Sequence, residues 1–226
     1  MKKIAVTLST SLICAASTTV QAQQFNFNRS SKHFDVKIEI PCQQSKCQGP
    51  ATITLYEKDT DHVLQQIESD DLILHLEQNS PNSIPKNEKN IIMFKDFNFD
   101  GSEDLAIHNG NANAYSGPSY DIYIFNEHWK KFVYNEELSE LTAENLGMFQ
   151  LDPHQKRIVS QYKSGCCYRV RAEYLIKPEQ ELILVREFIE DQTSSSKNQV
   201  KVTDRVLING KWTQTVKYYP ASEYYQ

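Results

Sequence analysis

The sequence predicts an all-β protein of antiparallel strands, folded as a single domain with at most one short helix. Three observations carry that expectation. Apolar and polar residues alternate in short runs, as in V-K-I-E-I at 36–40, which is the period of a half-buried strand. Turn residues recur about every ten positions, the rhythm of a sandwich, barrel or propeller. Asn209-Gly210 joins two alternating runs, a strong hairpin signal because a type I′ turn needs positive φ at both central residues.

In chain order, residues 1–22 read as a secretory signal peptide. Lys2 and Lys3 form the charged start, 4–16 is apolar, and V-Q-A at 20–22 is a small-residue cleavage site. The apolar run is too short to span a bilayer. Cys14 lies within it, but Ile13 stands where a lipoprotein signal wants a small residue, so lipidation is rejected. The expectation is a periplasmic chain beginning at Gln23, with 23–226 as one domain and no later membrane span. Cleavage removes two lysines and no acid, so the net charge falls from −5 to −7. Such a surface argues against nucleic acid, whose phosphates need Lys and Arg, and suits a cationic protein partner.

Strand patterns follow at 36–40, 52–56, 63–67 and 72–76. Residues 79–89 are polar, carry two prolines and read as a loop. A run at 91–94 enters D-F-N-F-D-G-S-E-D, whose Asp96, Asn98 and Asp100 fall at alternate positions before Gly101. Calcium takes six to eight hard oxygens, and alternate spacing folds three side-chain oxygens around one point. Gly101 permits the sharp turn, Ser102 offers its carbonyl, and Asp104 binds directly or through water. Ile107 replaces the bidentate Glu of an EF-hand, and L-A-I at 105–107 enters a strand, so the loop resembles those of FG-GAP-type propeller repeats. The bland reading is an acidic Asx-rich turn.

Next comes an Asn-, Ser-, Gly- and Tyr-rich loop, then the aromatic strand Y-D-I-Y-I-F at 120–125 and a returning strand at 131–134. Residues 136–145 are the one place for a helix. Strand patterns at 148–151 and 157–162, 168–176 and 181–190, and 200–208 and 211–218 complete the chain, with a polar loop at 192–198.

Beyond the leader stand Cys42, Cys47, Cys166 and Cys167, an even count that suggests disulfides in an exported protein. The favoured pairing is local, Cys42 with Cys47 and Cys166 with Cys167. Two long cross-links between the halves are the alternative. Zinc is disfavoured, because the spacing matches no usual ligand pattern.

D-F-N-F-D-G-S-E-D-L-A-I, Y-S-G-P-S-Y-D-I-Y, F-V-Y-N-E-E-L-S-E-L, G-M-F-Q-L-D-P and S-G-C-C-Y together resemble one family, over roughly 91–174. It comprises periplasmic β-propeller-like proteins of Gram-negative bacteria. They are similar to the inhibitors of i-type lysozymes and include an immunity protein against peptidoglycan hydrolases injected by a type IV secretion system. The resemblance implies a propeller-like fold, a calcium site, and inhibition of a lysozyme-like enzyme by a protruding loop. The i-type inhibitors use Ser-Gly-x-x-Tyr, matched here by Ser116, Gly117, Ser119 and Tyr120. In the immunity branch the working tyrosine is the preceding one, Tyr115 here, so the resemblance leaves both tyrosines open. The calcium loop and the 120–125 strand would then fix the two ends of the hairpin and leave a stiff tip. One D-x-N-x-D-G loop occurs, so no internal repeat demonstrates a propeller.

No His-Glu-x-x-His, Gly-x-Ser-x-Gly or phosphate loop is present, and the six histidines are scattered, so an enzyme is not expected. The alternative to an inhibitor is a calcium-stabilised carbohydrate- or peptidoglycan-binding module of the cell envelope.

Overall fold

The computed structural model describes residues 21–28, 30–43, 46–76, 85, 88–111, 115–177, 181–193 and 198–224. The expected signal peptide lies outside these residues except for Gln21 and Ala22. All sheets are antiparallel. The first is a four-strand meander of β1 (Gln21–Phe27), β2 (Phe34–Gln43), β3 (Lys46–Glu57) and β4 (Val63–His75). The second contains β5 (Ile92–Lys95), β6 (Asp104–His108), β7 (Tyr120–Asn126) and β8 (Lys131–Tyr134). The third has six strands: β9 (Gln150–Asp152), β10 (Arg157–Ser164), β11 (Tyr168–Ile176), β12 (Leu182–Asp191), β13 (Gln199–Ile208) and β14 (Lys211–Pro220). Each sheet is open with two edges, and no barrel or propeller ring closes among the described residues. The all-β antiparallel expectation holds. The helix expectation needs correction: besides α2 (Glu136–Glu144), single turns form at α1 (Glu88–Ile91) and α3 (Ala221–Tyr224).

Burial explains how the sheets stack. In β2 every second residue is buried, so Val36, Ile38 and Ile40 point one way into the first core. Strand β6 instead reads as a continuous apolar run because both of its faces are covered. Leu105 and Ile107 join the first core with Ile53, Leu72 and Phe125. Ala106 joins a second core with Ile122, Leu138, Leu141, Phe149 and Ile158. The central sheet is thus sandwiched between the first sheet on one side and α2 with the third sheet on the other.

Asn135 caps α2, its side chain accepting the Leu138 N–H at 2.9 Å, and Glu136 and Glu137 sit favourably at the positive end of the helix dipole. The helix also completes an edge of β7. Strand β8 pairs 123–126, and below it Ser139 and Thr142 take over. The Ser139 hydroxyl accepts the Ile122 N–H at 2.9 Å, and Thr142 accepts the Tyr120 N–H at 2.8 Å and donates to its carbonyl. Buried backbone groups must be satisfied somewhere, and here two helix hydroxyls replace a strand.

Turn chemistry behaves as the sequence indicated at the last hairpin, where Asn209 and Gly210 have φ of 50° and 75°. Strand β1 was not anticipated, since its first two residues fall within the expected leader.

Candidate functional site

The acidic loop connects β5 to β6 and is built from Asx turns. Asp96 accepts the N–H groups of Asp100 at 3.0 Å and Gly101 at 2.9 Å through its two oxygens. Asn98 Oδ1 accepts from Asp100 at 3.1 Å, and Asp100 Oδ1 accepts from Ser102 at 2.8 Å. The side chains of Asp96, Asn98 and Asp100 therefore curl inward over a backbone bent at Phe99 and Gly101, whose φ are 61° and 98°.

Asp104 plays a different part. It is 0% exposed, and its two oxygens accept the N–H of Phe97 at 2.7 Å and of Phe125 at 2.9 Å. It staples the acidic loop to the far end of β7. Burial pushes its pKa up to about 7 against the lowering effect of those two bonds, and the nearby charges of Asp100 and Asp96 add to the rise. Among the described residues no three His, Cys, Asp or Glu side chains form a ready-made metal cluster. The donor set of this loop is nonetheless entirely hard oxygen, from carboxylates, an amide and a carbonyl, which is the chemistry calcium takes.

The loop expected to meet a partner connects β6 to β7, at the opposite end of β6 from the acidic loop. Five residues of strand, about 17 Å at about 3.3 Å each, separate them. The acidic loop therefore lies away from the base of this hairpin, which corrects the expectation that it fixes one end of it. The base is held by Asn109 and Ser119, whose N–H and carbonyl bond at 2.9 Å, by the Ser119 N–H to Gly110 at 3.2 Å, and by the Ser119 hydroxyl donating to the Asn109 carbonyl. Gly110 in turn donates to the Asp71 carbonyl of β4 at 2.9 Å.

Two expected contact residues are thereby withdrawn from the surface. Tyr120 is 6% exposed, packs edge-on to His108 at 5.6 Å, and has its hydroxyl pKa raised by burial. Ser119 is also buried. Both secure the loop base. Tyr115, Ser116 and Pro118 stay exposed, with Gly117 half-buried. Ser116 has φ 54°, which turns the tip.

Tyr115 is exposed to 45% yet anchored. Its hydroxyl accepts the Gly165 N–H at 3.0 Å and donates to the Lys163 carbonyl at 3.3 Å. The Lys163 ammonium lies 4.2 Å from the centre of its ring. The turn it touches contains the disulfide Cys166–Cys167, and Cys42 is bonded to Cys47 across the β2–β3 pair.

Two features lay outside the sequence reading. Glu173 is a buried acid on β11, ringed by Arg171, Arg157 at 3.8 Å and Arg186 at 3.6 Å. Its close partner is Arg171, while Arg186 makes its shorter bonds to Asp204 at 3.0 and 2.9 Å. On the other face of the third sheet a cleft of about 340 Å³ is lined by Tyr168, Ile189, Asp191, Lys201, Arg205 and Trp212. Strand registry could have revealed it, because Tyr168, Asp191, Lys201 and Tyr218 pair in one row across four strands.

No protein-family model matches the chain, and no curated protein matches it. A solved structure described as a Xanthomonas type IV secretion system related protein is similar in fold. Its TM-score is 0.64 at 20% sequence identity, covering 85% of this chain and 92% of that one. No helix among the described residues is long and apolar enough to cross a membrane.

Proposed function

We propose that this protein is an exported, periplasmic inhibitor, an immunity protein, of a lysozyme-like peptidoglycan glycoside hydrolase. The observation that carries the reading is the 115–118 tip, exposed at its end and anchored on both sides. A loop tied at its base by Asn109 and Ser119 and at its tip by Tyr115 loses little entropy on binding. Two further supports are the motif resemblance and the likeness in fold to a type IV secretion system related protein. The first two sheets are four-stranded meanders, as propeller blades are, while the third runs to six strands.

Such hydrolases work with two carboxyl groups, one a general acid. The Ser116 hydroxyl can donate to a carboxylate, and the exposed face of the Tyr115 ring supplies a rigid anchor. An acidic body attracts a cationic enzyme. Calcium is proposed as a structural ion, held by Asp96, Asn98, Asp100 and the Ser102 carbonyl, with Asp104 fixing the loop from beneath. In this reading the chain is not itself an enzyme.

The test is muramidase inhibition by the chain from Gln23, against i-, g- and c-type lysozymes and secreted bacterial hydrolases. Tyr115→Ala should weaken it about thirtyfold, the result of losing about 2 kcal/mol at a central anchor, and Ser116→Ala should weaken it less. Inhibition unchanged in both variants places the contact elsewhere.

A second reading, a carbohydrate- or peptidoglycan-binding module, draws on the cleft with Tyr168 and Trp212 at its ends. Trp212 is 40% exposed with the Arg205 guanidinium 5.0 Å from its ring centre, so a sugar would stack on the opposite ring face. Binding to sacculi without hydrolase inhibition, lost in Trp212→Ala, would favour it.

A further inference from the structure

The unpaired edge of β10 is completed piece by piece. Strand β9 pairs residues 157–159, the Leu146 N–H bonds the Gln161 carbonyl at 2.9 Å, and the Tyr115 hydroxyl takes the Lys163 carbonyl and the Gly165 N–H. One phenol oxygen, accepting and donating, thus stands in for the next residue of a neighbouring strand. Its seat is the three-residue turn Gly165-Cys166-Cys167, which joins Ser164 of β10 to Tyr168 of β11. Gly165 has φ 62°, a conformation that aims its N–H and that a side chain would strain. The other two residues are closed on each other by a disulfide, and the Cys167 carbonyl accepts the Gln192 N–H at 2.9 Å from the end of β12. A short turn with two residues in a covalent ring and its exit tied to the next strand has little freedom left.

We propose that the Cys166–Cys167 turn is the positioning element of the 115–118 tip, and that reducing this disulfide releases the tip. That a partner binds the tip rests on the function proposed above; the positioning itself does not. Reduction transfers two electrons and two protons from a dithiol, which becomes a disulfide, and leaves two cysteine thiols. Cys166 is exposed whereas Cys47 is 0% exposed, so a mild dithiol reaches the vicinal bond first.

The experiment is amide hydrogen exchange at Ser119, whose N–H bonds the Gly110 carbonyl within the same loop, and at Gly165, whose N–H bonds the phenol. It compares wild type, Tyr115→Phe, the double variant Cys166→Ser with Cys167→Ser, and the two combined. Each should speed exchange about fivefold, as the loss of one hydrogen bond does. The combination should add nothing, because both changes remove the same contact. A merely structural disulfide would lower the melting temperature but leave the two effects additive. Additive effects, or unchanged exchange at Ser119 in the serine variant, overturn the proposal. Mildly reduced wild type, with two thiols counted by alkylation, gives the same reading should the serine variant not fold. In the hydrolase assay reduction should weaken inhibition. If wild type inhibits no hydrolase, the partner reading fails while the exchange data still decide the positioning.

Discussion

Asp104 offers a demanding test of how the acidic loop is built. Its two oxygens bond two buried backbone N–H groups, at Phe97 and Phe125, from a position with no solvent contact. Asp104→Ala leaves both donors without a partner. Each unsatisfied buried donor costs about 1–3 kcal/mol, so the pair costs roughly 2–6 kcal/mol. Removing a carboxyl whose ionisation is disfavoured by burial returns part of that, and a net loss of about 3 kcal/mol is expected. In a chain of this size that is a fall of roughly 6–12 °C in Tm. Asp104→Asn keeps one acceptor and turns an amide N–H₂ toward the other donor, so it should lie between wild type and Ala. The assay is thermal unfolding by circular dichroism in chelator. An Asn variant more stable than wild type would refute the reasoning, since the desolvation cost would then outweigh the staple.

The pH dependence has a definite sign. The folded pKa of Asp104 is raised to about 7 from an ordinary value of 3.8. Between those values the folded chain holds a proton that the unfolded chain has lost. The contribution of Asp104 to stability is therefore fully present below about pH 4 and declines as pH rises through about 7.

The remaining expectations are brief. Calcium at a hundred times its dissociation constant should stabilise the fold by about 2.7 kcal/mol, and Asp100→Ala should abolish the shift; a Tm indifferent to chelator counts against the ion. Thr142→Val removes the side-chain partner of the Tyr120 backbone and should cost about 1–3 kcal/mol in urea unfolding, whereas an unchanged midpoint would mean that water replaces the hydroxyl. Non-reducing digestion between residues 47 and 166 should release two halves with no covalent link, and halves that stay joined would contradict the two local disulfides. Mass spectrometry of a periplasmic extract should find Gln23 as the first residue; an uncleaved chain would remove the export step.

Much of the fold was legible because its signals are local. Alternation marked β2, the Asn-Gly pair marked the last hairpin, and Asx spacing marked the bend at 96–102. Strand β1 escaped because its opening overlaps the leader pattern. The direction of the central sheet also escaped, since a run such as L-A-I shows that a strand is buried on both faces but not what covers each.

The candidate site was only half legible, and the reason is distance along the chain. Tyr120 opens an aromatic strand, and a tyrosine there suits either a surface anchor or a core wedge. Its neighbours His108 and Thr142 decide for the core, and neither stands beside it in sequence. Tyr115 reaches a turn fifty residues further on, a contact to which no local pattern points. The motif places a tyrosine and a glycine near a tip, but the motif cannot say which oxygen is already engaged. With the Tyr115 hydroxyl seated on β10, the partner proposed above would meet the ring face and Ser116 first. It would reach the phenol oxygen only by displacing it from Gly165 and Lys163. In the proposed inhibitor the affinity of the tip would thus depend on the strength of that seat, which belongs to the fold and not to the motif.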